Sequence, residues 1–185
     1  MAGRDRGGRR REVRDDAADP AEAARLACLR LLAVAPRTSA QLREALTRRG
    51  LAEEEIEPVL GRLREVGLVD DRAFAEAWVS SRHVGRGLGR RALAAELRTR
   101  GVHRDTVEEA VAVIDSEAEL VAARALVRRR LLATEGVPPE VRVRRLTAML
   151  ARKGYGAGLA YRAVRAELAD CADAVDGDEP LDDDA

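Results

Sequence analysis

The sequence is poor in aromatic residues and cysteine and has no long apolar run. Its 185 residues include one Trp, one Phe and two Tyr, so a core would consist mainly of Leu, Val and Ala. The two cysteines, Cys28 and Cys171, form no CxxC pair, which argues against a zinc site or a disulfide framework. No apolar run approaches 18 residues and the N-terminus has no signal-peptide hydrophobic region, so we expect a cytoplasmic protein without a membrane span.

Motifs for catalysis or cofactor binding are also missing. The three glycines in the segment His83–Gly89 fit neither the dinucleotide-binding nor the P-loop spacing, and we interpret this segment as a flexible loop between repeats. The second histidine, His103, is isolated, so no acid–base pair is indicated. We therefore expect no enzyme activity, no cofactor and no metal site.

Charge is unevenly distributed although the formal net charge is zero. Residues 1–16 hold six Arg and four acids, residues 17–169 carry a net charge of +6, and residues 170–185 hold eight acids and no base. Both ends lack an apolar pattern. This predicts a disordered Arg-rich head over 1–19 and a disordered acidic tail over 170–185.

Helix signals fill the rest of the chain. Ala, Leu, Arg and Glu dominate, and apolar residues recur at helical spacing between stop signals, which predicts nine helices and no strand. Pro36 ends the first helix, and Thr38 with Gln41 has the spacing of a capping box for the second. Pro58 interrupts the third helix, which either begins late, with Pro58 in its first turn, or is kinked.

The fourth helix has a cap and an aromatic pair. Asp70 or Asp71 can cap its N-terminus, because a carboxylate accepts hydrogen bonds from the free amides there. Phe74 and Trp78 are four residues apart and share a face. We expect this face to be buried in the core rather than to stack nucleic acid bases.

An internal repeat is the strongest feature of the sequence. The segments 41–60, 92–111 and 145–164 can be superimposed at offsets of 51 and 53 residues. Five columns coincide: Leu42, Leu93 and Leu146; Leu46, Leu97 and Leu150; Gly50, Gly101 and Gly154; Ile56, Val107 and Ala160; Leu60, Val111 and Val164. A leading helix precedes each pair, so three stacked three-helix repeats are predicted over 20–69, 70–115 and 116–169.

The middle of the chain resembles a known family. The stretch Gly67-Leu-Val-Asp-Asp-Arg-Ala-Phe-Ala-Glu-Ala-Trp-Val-Ser-Ser-Arg82 is similar to the most recognisable motif of the RecX family. The glycine-rich loop Gly85–Gly89 and the basic helix from Arg90 to Gly101 follow in the same order as in that family. The resemblance covers roughly residues 24–168 and leaves out the head and the tail. Pro58 departs from the family pattern.

The resemblance implies both a fold and a function. The implied fold is all-α, with three tandem three-helix repeats that form an elongated, curved molecule. The implied role is to bind RecA or the RecA–DNA filament and to modulate, mostly inhibit, its recombinase, ATPase and coprotease activities in homologous recombination, DNA repair and the SOS response. Such a protein would be a monomer without a membrane partner, capable at most of weak direct DNA binding.

Basic residues are the candidates for contact with such a filament. Arginine suits a carboxylate or a phosphate because its planar guanidinium can bind either one bidentately. The candidates are Arg86, Arg90, Arg91, Arg98 and Arg100 of the middle repeat and Arg144, Arg145, Arg152 and Lys153 of the third. A solvated outer face is the alternative interpretation of both sets, and residues near a helix C-terminus also interact favourably with the helix dipole.

A second function fits part of the chain. Residues 38–69 have the pattern helix, turn, helix and then Gly-Leu-Val, as in a winged-helix transcription regulator. No pair of strands that could form a wing follows, and the two later repeats have no place in that fold. This alternative would predict binding to duplex DNA in the absence of RecA.

Overall fold

The computed structural model describes residues 19–176, and these residues are almost entirely helical. The helices are α1 (Pro20–Val34), α2 (Ser39–Thr47), α3 (Glu53–Glu65), α4 (Asp71–Arg86), α5 (Arg90–Thr99), α6 (Arg104–Ala112), α7 (Ser116–Leu131), α8 (Pro139–Arg152) and α9 (Ala157–Asp176). A short 3-10 helix, Leu132–Thr134, follows α7. No strand occurs within this part of the chain.

Local signals place most helix ends where the sequence predicts them. The hydroxyl of Thr38 accepts the Gln41 amide at 3.2 Å, and the Gln41 side chain accepts the Thr38 amide at 3.2 Å, which confirms the capping box. Pro58 lies inside α3, which begins at Glu53. The alternative in which α3 begins late, with Pro58 in its first turn, is therefore wrong. Pro58 cannot donate a hydrogen bond to the backbone carbonyl four residues earlier. Because Pro58 lies at an exposed position, that carbonyl is close to solvent.

The nine helices of residues 19–176 form three units of three, each with its own core. Unit 1 is α1–α3, unit 2 is α4–α6 and unit 3 is α7–α9. The six repeat leucines are all buried: Leu42, Leu46, Leu93, Leu97, Leu146 and Leu150. The repeat glycines Gly50, Gly101 and Gly154 have φ angles of 88°, 75° and 87°, as expected of glycines that end a helix. The predicted all-α fold of tandem three-helix repeats is confirmed.

The face of α4 that enters the core differs from the prediction. Ala75 and Val79 are the buried residues of this helix, whereas Phe74 and Trp78 are half-buried at the edge of the unit 2 core. The two stripes are one residue, or about 100°, apart around the helix. Both stripes are apolar, so the sequence pattern alone could not decide which one faces inward.

Two further expectations are corrected. The segment His83–Gly89 is not a loop throughout, because α4 continues to Arg86 and the left-handed Gly87 ends it. The predicted tail boundary at residue 170 falls inside α9. There the Asp170 carboxylate accepts a hydrogen bond from the Arg124 guanidinium of α7 at 2.5 Å. The predicted head, and the tail beyond residue 176, lie outside the described residues.

The two junctions between units are built in the same way. At the first junction, the Thr38 hydroxyl donates to the Arg100 carbonyl at 2.6 Å. At the second, the Gly89 amide donates to the Lys153 carbonyl at 2.8 Å. Each donor is the N-cap of the middle helix of its unit, and each acceptor directly precedes the repeat glycine of the next unit. The repeat therefore defines the contacts between units as well as the units themselves.

Candidate partner-binding surface

The junction between units 2 and 3 brings several of the candidate basic residues together. The Lys153 ammonium donates to the Arg86 carbonyl at 2.7 Å, which holds the C-terminus of α8 against the C-terminus of α4. The Tyr155 hydroxyl donates to the Gly87 carbonyl at 3.2 Å. The short loop after α4 is therefore fixed by unit 3 and is not a free hinge. Arg86 is exposed and Lys153 is half-buried at this junction.

Arg90 is held by a carboxylate from the neighbouring unit. Glu119 of α7 accepts the Arg90 backbone amide at 3.0 Å and the Arg90 Nε at 2.9 Å. The Glu119 side chain is only 5% exposed, whereas that of Arg90 is 40% exposed. Because Gly89 provides no side-chain cap, Glu119 supplies the negative charge that the N-terminus of α5 favours. Arg90 therefore has a role in the junction of units 2 and 3.

Arg91 and Arg98 lie on the surface of α5. Both are exposed, and they are seven residues apart on α5, so they lie two turns apart on one stripe. The Arg91 guanidinium lies beside Gly156 of unit 3: a Cβ added to that glycine would be 3.6 Å from Nη2. Among the described residues, neither arginine has a carboxylate within 4.0 Å.

Arg100 lies on a different side of α5. It is nine residues beyond Arg91, which corresponds to a rotation of roughly 180° around the helix. Its guanidinium carbon is 3.6 Å from the centre of the Trp78 ring, and its Nη1 donates to the Glu96 carbonyl at 2.9 Å. Burial lowers the pKa of Arg100, the attraction of Glu96 opposes this shift, and the repulsion of Arg82 adds to it. The five candidates in unit 2 thus do not share one surface.

The candidates of unit 3 lie on α8 and at its C-terminal end. Arg144, Arg145 and Arg152 are exposed, and within residues 19–171 none of their side chains has a carboxylate partner. Arg145 and Arg152 share a stripe, as Arg91 and Arg98 do, because both pairs have a spacing of seven. Since the end of α8 meets the start of α5, Arg152 lies near the junction with unit 2. Together with Arg86, Arg91, Arg98 and Lys153, these residues are the candidates without a carboxylate partner among the described residues, and we call this set the basic surface.

The sequence analysis did not identify Asp71 and Glu119 as residues that contact a neighbouring unit. The Asp71 carboxylate accepts the Ser39 backbone amide at 2.8 Å, whereas Asp70 is the one that caps α4, accepting Arg72 and Ala73 amides at 2.9 Å. Ser39 and Arg90 are each the first residue of a middle helix, so Asp71 and Glu119 make equivalent contacts. An acid near the start of a helix is common, and nothing in the sequence marks its partner in another unit.

Other kinds of site find little support in the described chain. Within it, no group of three or more His, Cys, Asp or Glu side chains is placed to bind a metal ion. Between residues 19 and 176, no helix combines the length and the apolarity that a membrane span needs. After α3, the described residues continue as α4 and contain no strand pair, so the winged-helix alternative lacks its wing.

Comparison with known proteins agrees with the earlier resemblance. Residues 24–63 match the model described as "RecX, first three-helix domain", and residues 70–111 match "RecX, second three-helix domain". Two solved structures share the fold. RecX from Lactobacillus salivarius has a TM-score of 0.76 at 17% identity, and the match covers 81% of this chain and 97% of that one. A second structure, of a regulatory protein RecX, has a TM-score of 0.72 at 24% identity, and the match covers 81% of this chain and 73% of that one.

Sequence relatives cover most of the chain. A regulatory protein RecX from Thermobifida fusca is 66% identical over 145 residues, which are 78% of each chain. Another, from Streptomyces coelicolor, is 57% identical over 150 residues, covering 81% of this chain and 80% of the relative. Identity at this level over this length establishes common family membership. The chain belongs to the RecX family of regulatory proteins.

Proposed function

We propose that this protein is a cytoplasmic, monomeric regulator that binds RecA within the RecA–DNA filament and mostly inhibits its recombinase, ATPase and coprotease activities. It acts by binding and catalyses no reaction itself. Membership of a family whose members are named regulatory proteins carries the proposal. The filament presents acidic side chains and DNA phosphates, and both are ligands that arginine binds through its planar N–H edge.

The basic surface is the proposed contact with the filament. Arg91 and Arg98 form its centre, because both are exposed and lie on one stripe of α5. Arg86 adds to it within unit 2, and four residues of unit 3 complete it: Arg144, Arg145, Arg152 and Lys153. Arg90 supports the junction beneath this surface through Glu119, and Arg100 acts elsewhere. Direct binding to DNA alone is expected to be weak and salt-dependent.

The test is inhibition of the DNA-dependent ATPase of RecA. We expect the double charge reversal Arg91→Glu, Arg98→Glu to leave the fold intact, because substitutions at exposed positions usually change stability by less than about 0.5 kcal/mol. The variant should require at least about tenfold more protein for half-inhibition, since four units of charge change at the contact. Inhibition of RecA strand exchange by the variant should weaken to a similar extent.

The matched control is Arg162→Glu, Arg165→Glu. These two residues are exposed on α9, outside the basic surface, and their reversal changes the net charge by the same amount. Inhibition by this control should resemble that of the wild type. Equal inhibition by the Arg91, Arg98 variant would exclude the basic surface, and equal loss in both variants would indicate a net-charge effect. A gel shift of duplex DNA, with and without RecA, tests the transcription-regulator alternative.

A further inference from the structure

A second surface of the molecule has no place in this function. A groove of about 480 Å³ lies between units 1 and 2, where the end of α1 faces α4. Its apolar lining includes Leu32, Pro36, Leu68, Phe74 and Trp78. Leu68 is 50% exposed although it is a large apolar residue. Arg91 and Arg98 are not part of the lining. They lie roughly 180° around α5 from Arg100, whose guanidinium stacks on the Trp78 ring of the groove.

One wall of the groove is the indole ring of Trp78, and two arginine side chains stack on this ring. The Arg82 and Arg100 guanidinium carbons are 4.2 and 3.6 Å from the centre of the Trp78 ring. Phe74 stacks on the same ring with a centroid distance of 5.7 Å and an interplanar angle of 16°. The Trp78 N–H donates to the Glu96 carboxylate at 2.8 Å. Guanidiniums stacked in this way keep their N–H edges available for an anion.

The positive charge of the groove is only partly compensated. Within residues 19–171, Arg37, Arg82 and Arg100 have no carboxylate within 4.0 Å. The Arg37 Nε is buried and has no hydrogen-bond partner in the described part of the chain. Asp70 also lines the groove, but its Oδ1 already accepts two amides of α4. The lining of the groove therefore holds two arginines, Arg37 and Arg82, against one carboxylate, Asp70.

We propose that this groove binds an acidic peptide segment of a partner protein, with carboxylates on Arg37 and Arg82 and an aliphatic side chain on Leu68 and Phe74. Charge complementarity requires an anion, and the apolar lining requires an apolar anchor beside it. A peptide offers both. A nucleobase would compete with the guanidiniums for the Trp78 ring, whereas a carboxylate binds their free edges without displacing them.

The chain carries its own probe for this site, because Trp78 is its one tryptophan. The experiment titrates the full chain with the synthetic peptide Asp-Glu-Leu-Asp-Asp-Leu-Glu-Asp while following tryptophan emission. We expect a saturable change in emission. A peptide with both leucines replaced by serine, and one with all acids replaced by lysine, should each bind at least about tenfold more weakly, because each loses one of the two contacts. No RecA is present, so the outcome is independent of the proposed function.

The variant Arg37→Gln, Arg82→Gln should bind the acidic peptide at least about tenfold more weakly, because it loses two charge-assisted contacts. The control Arg162→Gln, Arg165→Gln removes the same charge elsewhere and should bind like the wild type. Far-UV circular dichroism checks both folds, and the peptide series on the wild type tests the site even without the variant.

Several results would overturn the proposal. The first is emission that does not change with peptide, or equal binding of all three peptides. The second is a response to oligo(dT) that exceeds the response to peptide, which would assign the groove to nucleic acid. Emission that depends on protein concentration without peptide would assign it to a second copy. Emission that changes on deletion of residues 177–185 would assign it to the chain's own C-terminal segment.

Discussion

Glu119 caps a helix that belongs to another unit of the chain. One of its carboxylate oxygens is 3.0 Å from the Arg90 amide nitrogen, and the other is 2.9 Å from the Arg90 Nε. Asp71 binds the Ser39 amide at 2.8 Å in the equivalent position one junction earlier. The first amide of each of the middle helices α2 and α5 is thus bound by a carboxylate of the next unit, which couples neighbouring units.

Replacing Glu119 should weaken the junction of units 2 and 3. Glu119→Ala leaves the Arg90 amide and a half-exposed guanidinium without their partner, and we expect a loss of about 1–3 kcal/mol in the free energy of unfolding. Urea denaturation measures it. Glu117→Ala, at an exposed position of the same helix, should change stability by about 0.5 kcal/mol or less. Equal stability of the two variants would show that the Glu119 contact contributes nothing.

The adjacent acids Asp70 and Asp71 should have effects in different units. Asp70→Ala removes the cap of α4, and Asp71→Ala removes the acceptor of the Ser39 amide at the start of α2, so each should cost about 1 kcal/mol. Amide hydrogen exchange separates the two. Exchange should accelerate in the first turn of α4 for Asp70→Ala and in the first turn of α2 for Asp71→Ala. Faster exchange in α4 alone for both variants would contradict the junction contact.

The three repeat glycines should tolerate alanine unequally. All have positive φ, which costs an alanine about 1–2 kcal/mol. A Cβ at Gly101 would be 2.3 Å from the Ala40 Cβ, and one at Gly154 would be 2.3 Å from the Ala92 nitrogen, whereas Gly50 has nothing within 4 Å. Gly101→Ala and Gly154→Ala should therefore cost about 1–3 kcal/mol more than Gly50→Ala. Equal thermal stabilities would show that the units separate without cost.

Alkaline pH should weaken the junction of units 2 and 3 through Tyr155, whose hydroxyl donates to the Gly87 carbonyl. Burial raises the pKa of this tyrosine to about 12, and the nearby Glu119 charge adds to the shift. The folded pKa is above the ordinary value of about 10, so the contribution is complete below pH 10 and is lost as the pH rises towards 12. The wild type should lose stability relative to Tyr155→Phe between pH 10 and 12. Parallel pH profiles of unfolding free energy would argue against this shift.

The predictable part of the molecule is local. Thr38 and Gln41 form their capping box, and the repeat glycines end their helices, because both effects depend on residues within one turn. The contacts of the candidate basic residues could not be predicted in this way. Arg91 and Arg98 are exposed, whereas Arg90 binds Glu119 and Arg100 stacks on Trp78. Glu119, the partner of Arg90, is 29 residues away in the sequence, and the hydrophobic periodicity of a helix does not predict a contact over that distance.

The sequence by itself determined the helices, their number and their grouping into three repeats, since hydrophobic spacing, caps and glycine stops act within a few residues. The tertiary structure decided which of two adjacent apolar stripes of α4 is buried, leaving Trp78 at a groove while Val79 fills the core. It also decided which acid serves another unit and which arginines stay free. Those outcomes depend on how neighbouring units pack, because a side chain's partners are set by the helices that reach it in space and not by its neighbours in the chain.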